Sequence, residues 1–414
     1  MLKAVILIGG PQKGTRFRPL SLDTPKPLFP IAGLPLIQHH IEACAKLPEC
    51  KEILIIGSYV TTTMTQFVSD MQKEYQVIIR YLQEFTPLGT GGGLYHFRDQ
   101  IRAGSPSAFF LLNGDVCADF PLKELWQFHA ERSNALQITY YNILDDAHIS
   151  VAPKLVYRAG TVHFSGLQSI LCPFPGLYVS PCQISAKWVQ WLRIWILKNM
   201  LKQDGFYSSN GQSSPHPGYM SWEQDVLGSL AGTNKLYALQ VTNWWSQVKT
   251  AGSAIYANRH YLELYRSRMN KAPCVILPDV FIHPTAVVDE TAVIGPNVSI
   301  GAGVRVMAGV RVKESIVLNN AAIHEHALVM YAVVGQEATV GEWARVEGTP
   351  SDPDPNKPFA KMDNTPLFNS DGRLNPSITI LGAGVVVPAE TILLNSIVLP
   401  HKHLTRSFKH EIIL

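Results

Sequence analysis

The chain has 414 residues, is 46% hydrophobic and carries a formal net charge of +3. That length accommodates two or three domains and a large core. The charge is too small to indicate nucleic acid or a membrane surface as partner, and no apolar run reaches the length of a bilayer span.

The first element is Ala4 to Ile8, a short apolar run that ends in Gly9-Gly10. It reads as a buried strand of a parallel sheet. The start, MLKAVILIGG, is too short and too soon glycine-rich for a secretory leader. Glycines at the strand end let backbone N–H groups approach a ligand. Gly14-Thr15-Arg16-Phe17-Arg18-Pro19 and Pro25-Lys26-Pro27 follow, adding the cations Arg16, Arg18 and Lys26. Bare N–H groups with cations suit a polyphosphate. The alternative is a glycine turn with solvated basic residues; the three motifs in order favour the phosphate cradle.

This stretch resembles the GGxGTRLxPLT…PKP signature of the nucleotidyltransferases that make nucleotide sugars. Thr15, Arg16, Pro19, Leu20 and Pro25-Lys26-Pro27 all fall in order. Catalytic members have one residue between the second glycine and GTR; here Pro11, Gln12 and Lys13 stand there. The longer loop and RFRP resemble the alpha, or regulatory, subunits of mannose-1-phosphate guanylyltransferases.

Further along, Pro35 to Leu47 reads as a helix burying Leu36, Ile37, Ile41 and Ala45, with His39 and His40 as surface or packing residues. Glu52 to Gly57 is a second strand, Thr65 to Tyr75 a helix and Val77 to Leu82 a third strand. Alternation of this kind predicts a parallel sheet wrapped by helices, with ligands at the C-terminal strand ends. The third strand delivers Gln83-Glu84 and then Leu88-Gly89-Thr90-Gly91-Gly92-Gly93. This is similar to the family's LGTAG loop, which holds the base. Glu84 could accept the two adjacent donors of guanine, or be a solvated loop carboxylate. Ala108 to Leu112 is a fourth strand, followed by Asn113-Gly114-Asp115. The resemblance makes Asp115 a magnesium ligand, a role a carboxylate at a strand tip can fill.

From about Asn134 to Asn199 the resemblance stops. The family's EKP lysine and NxGxY pattern are absent, and Trp188, Trp191 and Trp195 cluster in an apolar stretch. Divergence and a local shift of reading frame or exon choice both account for this; such a stretch predicts poor packing. Family-like sequence returns at Met220 to Val226.

Val241 to Ile255 reads VTNWWSQVKTAGSAI. Catalytic relatives have WxDIG here, and its aspartate is the second magnesium ligand. Trp245 matches the tryptophan, and Gln247 occupies the aspartate position. A neutral amide cannot supply the charge that holds Mg²⁺ between two carboxylates. Loss of such an electrostatic group costs ~10²–10³-fold in rate. Rescue by another carboxylate, such as Asp225, is the alternative.

Residues 266–274 read as a polar linker. A six-residue period then begins at Ile282, Val288, Ile294, Ile300, Val306, Val312 and Leu318. A second register runs Val298, Val304, Val310, Ile316, Ala322, Leu328, Val334, Val340, Val346. This is the hexapeptide signature of a β-helix solenoid; its left hand is implied by the resemblance. The period breaks over 347–377, rich in Pro, Asp and Asn, and resumes at Ile380, Val386, Ile392 and Val398. Regulatory relatives carry such an insertion as an arm reaching towards a partner's active site; a floppy surface loop is the alternative. The apolar Ile412-Ile413-Leu414 terminus is expected to be docked.

The expected fold is therefore α/β: a Rossmann-like nucleotidyltransferase domain over 1–265, a linker over 266–274, and a left-handed parallel β-helix over 275–414. Six scattered cysteines without a CxxC pair predict free thiols in a reducing cytosol and no zinc site. The resemblance implies a GDP-mannose pocket of Gly9, Gly10, Gly14, Thr15, Arg16, Lys26, Glu84, Gly89, Thr90, Gly91, Asp115 and Gln247. Arg16, Lys26 and Asp115 are the residual catalytic positions. It also implies homo- and hetero-oligomers with a catalytic beta subunit, and feedback inhibition of that subunit. Two other functions stay open: an active mannose-1-phosphate guanylyltransferase, and a scaffold subunit of a translation initiation factor exchange complex. The intact phosphate motifs argue against the scaffold.

Overall fold

The computed structural model describes residues 1–12, 15–131, 136–141, 156–158, 161–163, 177–181, 219–227, 236–241, 243–266, 274–350, 352 and 366–414. Gly14, most of 134–199, residues 267–273 of the linker and 353–365 of the insertion lie outside the described residues. The chain divides into two compact units: 1–10 with 40–243, and 11–39 with 244–414.

In the first unit the apolar runs become strands. β1 is Leu2–Gly9, β2 Cys50–Gly57, β3 Ile78–Gln83 and β4 Ala108–Asn113. β5 (Leu136–Tyr141), β6 (Leu177–Pro181) and β7 (Leu236–Val241) complete a sheet of order β7-β5-β6-β4-β1-β2-β3. β4, β1, β2 and β3 run parallel, while β6 is antiparallel to both neighbours. One face of the sheet buries Val5, Leu54, Ile56 and Leu111 against Leu94, Met220 and Trp222. Each such aliphatic side chain contributes about 1.5–3 kcal/mol on burial.

Helix α1 (Leu36–Ala45) agrees with the apolar periodicity. Helix α2 (Thr61–Tyr75) starts one turn earlier than Thr65, because its first three residues are exposed threonines and carry no apolar signal. The larger difference is helix α3 (Gly89–His96), where the sequence predicts a loop. Gly89 turns the chain with a φ of +75°, and Gly91, Gly92 and Gly93 are buried. A Cβ at Gly91 would lie 2.9 Å from the Met220 Cε, so the glycines serve close packing.

The second unit holds the signature segment, a long helix and the solenoid. Strands Pro30–Ile31 and Leu34–Pro35 form a hairpin whose turn residues, Ala32 and Gly33, have φ of 50° and 80°. Both positive angles suit a primed turn. A Cβ on Gly33 would lie 2.2 Å from the Phe281 ring. Gly33→Val is therefore expected to destabilise this unit by ~3 kcal/mol, combining left-handed strain with overpacking. Chemical denaturation of the two proteins measures it.

Helix α4 (Ala251–Leu264) starts with a capping box: Thr250 Oγ1 accepts from the Ser253 N–H, and Ser253 Oγ accepts from the Thr250 N–H. Past it, three stacked parallel sheets of seven, seven and five short strands make the β-helix, consistent with the left hand implied by the resemblance. Its inner stacks are aliphatic: Ile294, Val312, Val329, Val346 and Leu393 lie on one side.

The first predicted register holds from Ile282 to Val312, but Val317 rather than Leu318 continues it. Val280 pairs with Val298, 18 residues on, whereas Ser299 pairs with Ile316, 17 on. The coil shortens by one residue at this point. The second register is corrected for the same reason. After Val310 its buried line runs through Ala321, Ala327, Ala332, Ala338 and Ala344. Leu328 instead lies half-buried in a strand, while Val334, Val340 and Val346 belong to the first register's stacks.

The C-terminus is docked through Ile412–Ile413, which pairs with Ile397–Val398, while Leu414 is exposed. The returning limb of the insertion is tied to the last coil, where the Leu374 N–H donates to the His410 carbonyl at 3.2 Å. Among the described residues no helix is long and apolar enough to cross a membrane.

Candidate functional site

The ends of β4, β1, β2 and β3 lie side by side at the C-terminal edge of the sheet. The backbone ties them together. Ser58 N–H donates to Gly9 O (2.8 Å), Glu84 N–H to Gly57 O (2.7 Å) and Gly114 N–H to Leu7 O (2.8 Å). Gly10 is buried, and a Cβ there would meet Ser58 Oγ at 1.8 Å, so only glycine fits without moving Ser58. Asp115 is half-buried in the turn that follows β4. Just before it, the Asn113 carbonyl is within 3.1 Å of His40 Nε2. His40 is fully buried and packs on Phe120. His39 is buried too, stacked on Tyr261 at 3.9 Å with Nε2 on the Ile31 carbonyl. Both histidines are packing residues.

Glu84 follows β3 with its carboxylate against α3: a Cβ on Gly93 would lie 2.2 Å from Glu84 Oε1. Tyr81, on β3, donates to the carbonyls of Gly57 (3.0 Å) and Tyr59 (2.6 Å). Burial pushes its hydroxyl pKa up, and the Glu84 charge adds to it. The hydroxyl therefore stays protonated and holds the turn after β2.

The start of α3 is enclosed by residues 219–227. The N–H groups of Gly91 and Gly92 donate to the Met220 carbonyl at 2.9 and 3.3 Å. Thr90 Oγ1 donates to Glu223 Oε2 (2.9 Å) and accepts from the Trp222 N–H (2.8 Å). Asp225 Oδ2 accepts from the Ser221 N–H at 2.7 Å. Burial raises the Asp225 carboxyl pKa, the Ser221 bond lowers it, and the nearby Glu223 charge raises it again. Sequence reasoning gave Met220 and Glu223 no role. The only signal was the return of family-like sequence at this point.

Thr15 and Arg16 are exposed and Lys26 is half-buried, in the short 3₁₀ turns Thr15–Phe17 and Lys26–Leu28 of the second unit. Buried Phe17 anchors the first turn edge-on to Phe29 at 5.0 Å. Gln247 is half-buried at the end of the strand Trp245–Gln247, three residues before the α4 cap.

Asp115 carries a carboxylate, Gln247 a neutral amide, and the Asp225 carboxylate accepts from the Ser221 N–H. Among the described residues no group of three or more His, Cys, Asp or Glu side chains could hold a metal.

A Rossmann-like sheet with glycines and a carboxylate at its strand tips, followed by a hexapeptide β-helix, defines a nucleotidyltransferase-class protein with an attached solenoid. The Nucleotidyl transferase family matches residues 3–148, and the GMPPB C-terminal domain family matches 276–413. Relatives match end to end, covering 100% of both chains. A Drosophila melanogaster protein named mannose-1-phosphate guanylyltransferase regulatory subunit alpha is 58% identical over 449 residues. Proteins of the same name from Homo sapiens and Rattus norvegicus are each 50% identical, over 430 and 436 residues. The chain belongs to the family of mannose-1-phosphate guanylyltransferase regulatory alpha subunits.

Proposed function

We propose that this chain holds GDP-mannose without making it, and that the bound sugar nucleotide lets it restrain a catalytic beta subunit. One observation carries the reading: Gln247 stands where the resemblance puts the second metal carboxylate, so the charge needed to drive nucleotidyl transfer is missing. An amide still hydrogen-bonds phosphate or sugar hydroxyls. The glycines at the end of β1 and the cations Arg16 and Lys26 support a diphosphate ligand. The end-to-end likeness to proteins named as regulatory subunits supports assembly with a partner, in homo- and hetero-oligomers. The four described cysteines are free thiols, in keeping with work in a reducing cytosol. Restraint by a bound ligand requires that GDP-mannose favour one assembly state over another.

The test is reconstitution. The purified chain with GTP, mannose 1-phosphate and Mg²⁺ is expected to give no GDP-mannose above a blank. Added to a catalytic relative, it should make that enzyme more sensitive to GDP-mannose. GDP-mannose alone should raise the melting temperature of the chain. Rapid turnover by the unmodified chain would refute the reading. Absence of any shift with GDP-mannose or GTP would favour a scaffold.

A further inference from the structure

The first unit contains a pair of thiols that the proposed function does not use. Cys44 lies in the last turn of α1, and Cys50 is the first residue of β2. Two tight turns fold the chain back between them: the Leu47 N–H donates to the Cys44 carbonyl (3.1 Å), and the Cys50 N–H to the Leu47 carbonyl (3.0 Å). Both cysteines are buried, at 0% and 2% exposure, and the Cys44 thiol donates to the Cys50 sulfur. Lys46, Pro48 and Glu49 cover the pair as an exposed turn. A disulfide needs two side chains brought together in this way.

We propose that Cys44 and Cys50 form a reversible disulfide under oxidising conditions, a clasp that locks the end of α1 to the start of β2. The oxidant is a small disulfide such as oxidised glutathione. The Cys50 thiolate attacks one of its sulfurs, and one glutathione thiolate leaves. The Cys44 sulfur, deprotonated, then attacks Cys50 and displaces the second glutathione. Two protein thiols lose two electrons and two protons, and one oxidised glutathione becomes two reduced molecules. The Cys44 S–H bond lowers the Cys50 pKa, burial opposes this, and a backbone hydrogen bond at Glu52 and the Lys51 charge lower it further. That makes Cys50 the attacking group, and Cys44 the resolving one. Attack requires the 46–49 turn to open, so oxidation should be slower than at an exposed thiol. Helix α1 also carries His40, which holds the carbonyl before Asp115. The clasp therefore fixes the helix that supports one strand tip.

The full-length chain, kept native, is incubated with oxidised glutathione, alkylated and digested. The expected product is a Cys44–Cys50 cross-linked peptide lighter by about 2 Da than the reduced pair and restored by dithiothreitol. Cys50→Ser should abolish that cross-link. Because mapping of the unaltered chain gives the answer directly, the inference does not depend on a variant folding. A stable glutathione adduct at either cysteine, a cross-link to a different cysteine, or alkylation of both thiols after prolonged oxidation would overturn it.

Discussion

Glu52→Leu is expected to lower the unfolding free energy of the first unit by about 3–5 kcal/mol, the usual result of stranding a buried charge. Lys3 is the reason. Its side chain on β1 is fully buried, and its Nζ lies 2.6 Å from Glu52 Oε2 on the neighbouring β2 and donates to the Gln100 carbonyl at 3.0 Å. Leucine fills the space of the glutamate but leaves the ammonium in an apolar layer with one acceptor. Arg80, the other partner of Glu52, is 46% exposed and can turn to water, so its loss of contact costs little. The double variant Lys3→Met with Glu52→Leu should recover most of the loss, because replacing both partners of a buried pair with apolar groups is often neutral. Denaturant unfolding of the three proteins decides it; a double variant as unstable as the single one would place the effect in packing instead.

Acid adds a second check on the same pair. Burial alone would raise the Glu52 carboxyl, but Lys3 and Arg80 outweigh it and hold its pKa below the ordinary carboxylate value. A depressed folded pKa stabilises the fold above the unfolded value, and that contribution is lost as pH falls through the folded pKa. The gap between wild type and Glu52→Leu should therefore narrow in acid and be widest near neutrality.

What the sequence made legible follows from where the physical signal is local. Val5, Ile53, Leu54, Phe110 and Leu111 are buried on strands covered on both faces, so unbroken apolar runs announced β1, β2 and β4. Glycines at the end of β1 and a carboxylate after β4 could be read because strand ends are where such chemistry sits. The misread elements are set by distant residues. Gly91 and Gly92 sit in a helix whose start is held by Met220, well over a hundred residues later, which accepts their N–H groups and packs on Gly91. Glycine propensity alone gives a loop. The solenoid's slip is hidden because Ile316 is apolar and buried although it is not part of the inner stack. A strict six-residue count accepts it, and only pairing between coils shows the missing residue. Glu223 could not be assigned because its partner, the Thr90 hydroxyl, lies in a separate stretch of chain with no periodicity linking the two.

In the second unit the largest single loss is expected at Asn258. It is fully buried on α4 and joins three stretches of chain. Its Oδ1 accepts from the Ala32 N–H in the hairpin turn (2.8 Å) and from Ser299 Oγ in the solenoid (2.6 Å), and its Nδ2 reaches the Asn297 carbonyl at 3.5 Å. Asn258→Leu removes the acceptor and strands the Ala32 N–H, which has no water to turn to. A buried unsatisfied group costs ~1–3 kcal/mol, so with the Ser299 hydroxyl also orphaned a loss of about 3 kcal/mol is expected. Leucine gains a few tenths of a kcal/mol in helix propensity and some apolar burial, which offset part of the cost without reversing it. Adding Ser299→Ala to Asn258→Leu should return part of the loss, by removing one orphan, but not the part due to Ala32. Denaturation midpoints of the two single variants and the double variant separate the contributions. If Asn258→Leu proved as stable as the unaltered chain, the hairpin would not depend on this acceptor, and the signature segment would have to be held by its other contacts, such as Gly33 against Phe281 and His39 on the Ile31 carbonyl.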